Sequence, residues 1–502
     1  MLSIFCYAIM KRVKKVKQTD KGNRVRMKNK IQLMIVASAV LLAGCGNKTA
    51  LDAKNPTTIT VWHYYNGEQM DAFDGLVNEF NETVGKEKGI IVESYGQGSV
   101  SDLETNVLAA IKGEVGASEV PNVFAAYADT AYTADMMNEV IDLKTYLTEE
   151  EIASYVDGYV EEGDFSNEGE MKIFPIAKCT EVMVINKTDW DAFAAETGVS
   201  YESMADMEGL LETAEIYYQW TDAKTPDISG DGKALFGRDA MANYMLIGSM
   251  QQGVEIFSVA DGKMSLQFDK EAIRKLWDAY YVPFVKGYFA ASGRFRSDDL
   301  KTGNIIAYVG SSSGASYYPK EVSVSDTESY PIEIEVLPAP QFGDSSGYAV
   351  QQGAGMVVTE GTEQEITASV EFLKWFTEDE RNIRFAVKSG YLPVKKTANE
   401  KNAILNSGIE MDMNMENTLS VSIDTVNSNR MYTTKAFPAG ADAREFLENA
   451  MSEQAVADRE IVMDKLSAGM SLEEAVEEFC SDAYFDAWFE TTKSQLEKWE
   501  TK

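Results

Sequence analysis

From Thr57 to Asp129 the chain switches repeatedly between two hydrophobic periods, and this restricts the fold more than any other feature. TTITVW places β-branched residues at alternate positions, the period of a strand. DAFDGLVNEFNETV then carries Phe73, Leu76, Val77 and Phe80 at i, i+3, i+4 and i+7, one face of an amphipathic helix. IIVESYG reads as a second strand, LETNVLAAI as a second helix, and VPNVFAAYAD as a third strand entering a loop. Parallel strands need a crossover long enough to hold a helix, so this order predicts an α/β fold with mostly parallel sheets flanked by helices. In such sheets ligands bind beyond the carboxyl ends of the strands. The loops after these strands are therefore the candidate functional sites.

The pattern resumes at KIFPIAKCTEVMVINK, which reads as a strand, and helices are expected around 200–220, 239–250 and 270–282. GNIIAYVGSSSG is a strand running into a Gly/Ser turn, and IEIEVLPAP and AVQQGAGMVV are further strands. TASVEFLKWFTEDERNIRFAVKSG reads as one long amphipathic helix closed by Gly390. The tail from Ala441 is expected to be helical almost throughout. No repeat of 20–50 residues and no low-complexity linker interrupts the body, which predicts one intertwined unit.

The N-terminus has a different character. Residues 11–30 hold ten Lys or Arg and one acid, and 31–44 read IQLMIVASAVLLAG. A basic segment, an apolar segment and a small-residue exit form a secretory signal, here assigned to 1–44 with Met27 as the expected true start. The apolar run is too short to span a bilayer, which takes about 20 residues. Leu42-Ala43-Gly44-Cys45 resembles the bacterial lipobox, so Cys45 is expected to be lipidated and 45–56 to be a polar tether. That implies a protein anchored to the outer face of a cell membrane, on the extracellular or periplasmic side. Without the leader, 36 bases face 79 acids, a net charge of −43. Such a surface repels nucleic acid and anionic lipid headgroups, and no nucleic-acid partner is expected. Cys179 and Cys480 are then the remaining thiols, read as two buried free cysteines or as one pair.

In order along the chain, the residues resemble the extracellular solute-binding proteins of ABC importers, the maltose-binding-protein-like family 1. The resemblance lies in Pro175, Thr180, Glu181, Val182 to Ile185 and Asn186-Lys187, then in Gly303-Asn304-Ile305-Ile306-Ala307 with Gly310-Ser311-Ser312. It continues through Val336-Leu337-Pro338, Gly353 to Val358, Glu371-Phe372-Leu373-Lys374-Trp375 and Gly390-Tyr391-Leu392-Pro393-Val394. The family implies a two-lobed periplasmic-binding-protein-like fold of type II with the ligand cleft between the lobes. The lobes are expected at 57–177 with 332–352 and at 178–331 with 356–502. Hinge closure on a carbohydrate, a mono- or oligosaccharide, and delivery to the transmembrane subunits of a permease are the implied function. A monomer without cofactor or catalytic residues is expected.

Candidate ligand residues follow from chemistry and from the resemblance. Trp62, Tyr64, Tyr65 and Asn66 end the first strand, where aromatic faces stack on sugar rings and amides bond hydroxyls. Strand alternation offers the other reading for Trp62 and one tyrosine, as core. Tyr127 and Asp129 follow the third strand, and Asp129 occupies the position where the family commonly has an acid that bonds sugar hydroxyls. Thr180 and Glu181 lie at the implied hinge. Ser311, Ser312 and Tyr317 follow the strand at 305–309; the family's frequent tryptophan near this turn is absent, and Tyr317 stands there instead, which weighs against a maltose-type ligand. Gly353 allows close backbone approach or a strand kink, and Tyr391 follows the long helix. Trp277 and Trp375 are expected in the core.

Other function classes remain. Asp227, Ser229 and Asp231 with Gly232 resemble the start of a calcium loop, although its twelfth position is Arg238; a surface turn is the alternative. A Ser-His-Asp hydrolase would need His63, the single histidine, as its base, and no G-x-S-x-G elbow is present. A secreted lipoprotein glycosidase built on two carboxylates, a binding protein for a polyamine or other small solute, and a surface adhesin are the alternatives to sugar uptake.

Overall fold

The computed structural model describes residues 51–500, apart from 167, 229, 261 and 344–346. The leader, Cys45 and Ser229 lie outside the described residues.

The alternation from Thr57 onward becomes β1 (Thr57–His63), α1 (Gly67–Phe80), β2 (Ile90–Gly96), α2 (Val100–Ile111), β3 (Val123–Ala126) and α3 (Ala128–Asp135). α2 starts where sequence chemistry demands: Ser99 Oγ accepts from the Asp102 N–H and the Asp102 carboxylate accepts from the Ser99 N–H, a reciprocal cap. β1 pairs in parallel with β2 and β3, with Val61 opposite Val123.

The chain then builds a second sheet. Its principal elements are β4 (Glu181–Asn186), α4 (Met207–Asp222), β5 (Phe236–Arg238), α5 (Met241–Gln251) and a hairpin of β6 (Phe257–Ala260) and β7 (Lys263–Leu266). α6 (Lys270–Lys286), β8 (Ala307–Ser311), a second hairpin of β9 (Glu321–Ser325) and β10 (Glu328–Pro331), and β11 (Ile334–Pro338) follow. The order is β11-β4-β8-β5, with β4 antiparallel to both neighbours and β5 parallel to β8. This sheet is thus mixed, whereas the first is mostly parallel.

After β12 (Tyr348–Val350) the chain returns to the first sheet as β13 (Gly355–Val358), giving the order β13-β3-β1-β2. α7 (Glu363–Phe376) and α8 (Asp379–Ser389) pack on α1, where Phe73 meets Phe372, Phe376 and Phe385, and Phe80 meets Trp375. α9 (Met413–Ser428), β14 (Arg430–Tyr432), α10 (Gly440–Ala450), α11 (Ser452–Ser467) and α12 (Asp482–Leu496) complete the second lobe. Its core includes Trp277, stacked on Tyr281 with ring centroids 3.6 Å apart.

Four expectations change. Segment 332–352 was expected in the first lobe, but β11 hydrogen-bonds β4 from Ile334↔Asn186 to Pro338↔Val182, which puts it in the second sheet. Segment 356–502 was expected wholly in the second lobe, but β13 pairs with β3 and carries α7 and α8 to the first. An apolar run looks alike in either sheet, and partner choice is made by tertiary packing. AVQQGAGMVV is two strands in different sheets, broken at 351–354. The long helix is also two: Thr377 Oγ1 donates to the Leu373 carbonyl at 2.9 Å, and Glu378 is extended before α8 begins. α8 does end at Gly390, with φ +73°.

Candidate functional site

The register of the two sheets decides which loops meet. Parallel pairing of β1 with β3 sets their carboxyl ends side by side, and antiparallel β13 starts there with Gly355 opposite Ala126. The loops at 64–66, 127–129 and 351–354 therefore share one edge. In the second sheet Glu181 opens β4 opposite Ser311, which closes β8, and Arg238 closes β5. The chain crosses between these edges at 175–180, 339–354 and 390–412.

The crossings are bonded to each other. Cys179 and Gln352 exchange backbone hydrogen bonds of 3.0 and 2.9 Å, and the Lys178 N–H donates to the Leu392 carbonyl at 3.2 Å. The Gly353 φ is +89°, and a Cβ there would stand 2.9 Å from the Ala177 carbonyl oxygen, so glycine is required both for the turn and for the approach. The Lys178 ammonium, fully buried, donates to the Gly353 carbonyl at 2.6 Å and pairs with Glu162, which also accepts from Gln351 Nε2 at 2.9 Å.

The sequence candidates divide into two groups. Trp62 is 7% exposed and sits within β1. Tyr65 is 3% exposed and packs on His63, Phe73 and Phe385. His63 Nδ1 accepts from the Tyr65 N–H at 3.2 Å, and burial lowers the imidazole pKa to about 4 against the pull of Asp74. Thr180 Oγ1 donates to the Val350 carbonyl at 2.8 Å, and Ser312, also buried, has its N–H on the Thr180 carbonyl at 2.8 Å; both stitch the crossing. The Glu181 carboxylate is held by Arg238 and by Asn243 Nδ2 at 2.8 Å. Thr180, Glu181, Arg238, Tyr244 and Tyr348 line a cavity of about 170 Å³ beside the crossing.

The second group comes together between the sheets. The Tyr64 hydroxyl accepts from the Ala354 N–H at 3.3 Å and lies 3.3 Å from the Tyr391 hydroxyl, with Tyr391 only 4% exposed. Tyr127, half-buried, is close enough to act electrostatically on Tyr64 and Cys179, and its phenol pKa is raised by burial first. Ser311 Oγ donates to the buried Cys179 thiol at 3.3 Å and lies 2.9 Å from Ser313 Oγ. Hydrogen bonds that run from lobe to lobe include the Tyr317 hydroxyl donating to Asn66 Oδ1 at 3.3 Å and Gln69 Nε2 donating to the Ser313 carbonyl at 3.3 Å.

Asp129 also reaches the other lobe. A Cβ at Gly440 would lie 2.1 Å from Asp129 Oδ1, so the carboxylate rests on the first turn of α10. Burial raises the Asp129 pKa to about 7, with Glu104 and Glu162 adding to the rise and Arg444 and the Phe437 backbone opposing it. Arg444 is held from α5, where its Nη2 donates to Asn243 Oδ1. Asp239, just beyond β5, accepts from the Arg296 N–H at 3.0 Å and is raised to about 6 by burial. Sequence reading names Arg238 only as the twelfth position of the calcium-loop candidate and gives no ligand role to Cys179, Asp239, Asn243 or Arg444. Arg444 lies in a stretch legible only as helix, and no motif links it to Asp129.

The calcium-loop candidate is tied up differently. Asp231 accepts from Thr225 Oγ1 at 2.6 Å, and the N–H groups of Gly230 and Asp231 go to Asp222 at 2.7 and 2.9 Å. Among the described residues no group of three or more His, Cys, Asp or Glu is placed to hold a metal. Cys179 and Cys480 are both free.

Two α/β lobes, joined by bonded crossings and facing each other across an aromatic and polar cleft, define a two-lobed solute-binding protein. Residues 75–416 match the family described as bacterial extracellular solute-binding protein, and the chain belongs to that family. Its fold is similar to that of a cyclic α-maltosyl-1,6-maltose binding protein from Arthrobacter globiformis, with TM-score 0.63 and 16% identity over 88% of this chain and 100% of that one. It is similar to UgpB from Mycobacterium tuberculosis in complex with glycerophosphocholine, with TM-score 0.64 and 16% identity over 89% and 98%. It is also similar to an ABC substrate-binding protein from Listeria monocytogenes in complex with cycloalternan, with TM-score 0.60 and 15% identity over 88% and 100%. No curated protein sequence matches the chain. No described helix is long and apolar enough to cross a membrane.

Proposed function

We propose that this protein is the substrate-binding lipoprotein of an ABC importer, that it captures a mono- or oligosaccharide by hinge closure, and that it hands the sugar to a membrane permease. The observation that carries the reading is the set of polar and aromatic groups gathered where the two sheets meet: Tyr64 with Tyr391, Ser311 with Ser313 and Cys179, and Asp129 and Tyr127 within electrostatic reach of Arg444. Aromatic rings, hydroxyls and one charge of each sign suit a neutral polyol, whose hydroxyls both donate and accept. Two of the solved structures with this fold hold or are named for oligosaccharides, which supports the same class.

The remaining parts of the reading follow. Cys45 anchors a monomer to the outer face of the membrane, and the acidic body stays clear of the lipid headgroups beneath it. Trp62, Tyr65, Thr180, Ser312 and Gly353 act as supports behind the ligand-facing residues. In this reading the protein binds its ligand without turning it over, as its membership of a solute-binding family supports. A thermal-shift screen against saccharides, amines and metal ions tests this: a bound sugar at 100 times its Kd adds about 2.7 kcal/mol of stability. A shift with a polyamine and none with any saccharide would overturn the sugar assignment.

A further inference from the structure

We propose that Arg444 is a specificity-determining residue of the cleft: with Asp129 from the opposite lobe it brackets one hydroxyl pair of the ligand and selects a neutral hydroxylated group over an acid or an amine at that position. This rests on the sugar-binding reading above and extends it.

Four observations lead there. First, Arg444 is oriented by a chain of polar contacts. Its Nη2 donates to Asn243 Oδ1, the Asn243 amide donates to Glu181, and Glu181 pairs with Arg238. A guanidinium fixed at one nitrogen keeps its remaining donors in a set direction. Second, its charge acts on Asp129 and on the Tyr127 hydroxyl, both on the far lobe, as well as on Tyr432 of its own lobe. Third, Arg444 and Asp129 are near enough to sense each other yet form no direct ion pair; the hydrogen bond Arg444 makes among the described residues is the one to Asn243. Fourth, Asp129 instead covers the start of α10. Ala439 at that N-cap has φ +69° and a methyl side chain that cannot accept a hydrogen bond, so a carboxylate from the other lobe stands where a capping side chain would.

The consequence is a site with an acceptor on one wall and donors on the other. A hydroxyl pair satisfies both, donating to Asp129 and accepting from Arg444. A carboxylate or phosphate would meet the Asp129 carboxylate, with the charge of Glu104 behind it, and an amine would meet Arg444. Asp129 also touches the first turn of α10, so a ligand hydroxyl at its carboxylate takes the place of an internal contact.

The test uses the full chain in detergent and isothermal titration with neutral mono- to tetrasaccharides, galacturonate, glycerophosphocholine and spermidine. The expected result is binding of a neutral saccharide, weakened about 10- to 100-fold by Arg444→Met, with partial recovery in Arg444→Lys, because a hydrogen bond to a charged group is lost and partly regained. Retained circular dichroism and melting of both variants exclude misfolding, and two unfolded variants would be replaced by Asn243→Ala, which frees the guanidinium and is expected to weaken binding in the same direction. Saccharide binding unchanged by these variants would overturn this inference and leave the sugar reading intact. Tighter binding of galacturonate or glycerophosphocholine than of every neutral saccharide would overturn both, as would binding of spermidine alone or of no probe.

Discussion

Lys178 and Glu162 form an ion pair sealed from solvent at the place where the chain passes from one sheet to the other. The ammonium also bonds the Gly353 carbonyl, so one side chain ties the first crossing to the second. A buried pair contributes little net stability compared with a well-packed apolar pair, but losing one partner strands a charge. Lys178→Met should therefore destabilise the protein by about 3–5 kcal/mol, read as a lower urea midpoint. Lys178→Met with Glu162→Leu should recover most of that loss. A single variant as stable as the parent would show that the pair does not tie the crossings together.

Gly353 lies against the same crossing. At φ +89° any side chain is strained, and a Cβ would press on the Ala177 carbonyl. Gly353→Ala should cost about 1–3 kcal/mol. Because the strain sits where the lobes pivot, ligand affinity should fall as well. Equal melting temperatures for variant and parent would count against this reading of the backbone.

Asp129 gives a pH dependence whose sign can be worked out. Its pKa rises on folding from 3.8 to about 7, chiefly through burial. Above pH 3.8 the unfolded chain releases this proton while the folded chain keeps it, so the unfolded state binds fewer protons. The stability linked to this group is therefore present below pH 3.8 and is lost as pH rises through about 7. Asp129→Asn removes the titration. The melting temperature of the variant minus that of the parent should grow from about pH 4 to about pH 7 and then level. His63 titrates in the opposite sense, its pKa falling from 6.5 to about 4, but it contributes equally to both proteins and drops out of the difference. A difference that shrinks with rising pH would assign Asp129 a lowered pKa.

Cys45→Ser should move the protein from the membrane fraction to the medium with its ligand affinity unchanged, since one thiol carries the proposed anchor. Fractionation and immunoblotting read this directly. A variant that stays in the membrane pellet would place the anchor elsewhere.

The first lobe's opening was legible because its residues are locally consistent: Phe73, Leu76, Val77 and Phe80 face inward as their spacing requires, and all are buried. Trp277 and Trp375 could be placed in the core for the same reason, at 1% and 3% exposure. The break between α7 and α8 was not legible, since Thr377 and Glu378 read as ordinary helix residues, whereas Thr377 is buried and turns its hydroxyl back on Leu373. At the cleft, Tyr64 and Tyr65 are neighbours of identical chemistry. Only the packing of Phe73 and Phe385 around Tyr65 sends one ring to the core and leaves the other at the crossing.

The sequence by itself determined the α/β class, the order of strands and helices in the first lobe, and the loops after β1 and β3 as candidate sites. Hydrophobic period and turn chemistry are local properties, readable within a few residues. The tertiary structure alone decided that β11 joins β4 and β13 joins β3, and so which lobe each later segment enters. It also decided that Arg444 on α10 comes within electrostatic reach of Asp129 on α3. Those choices are made by long-range pairing and burial, where each partner is one of many apolar runs or charged residues of equal local character. In a body with 36 bases and 79 acids, only the folded arrangement shows which of them meet.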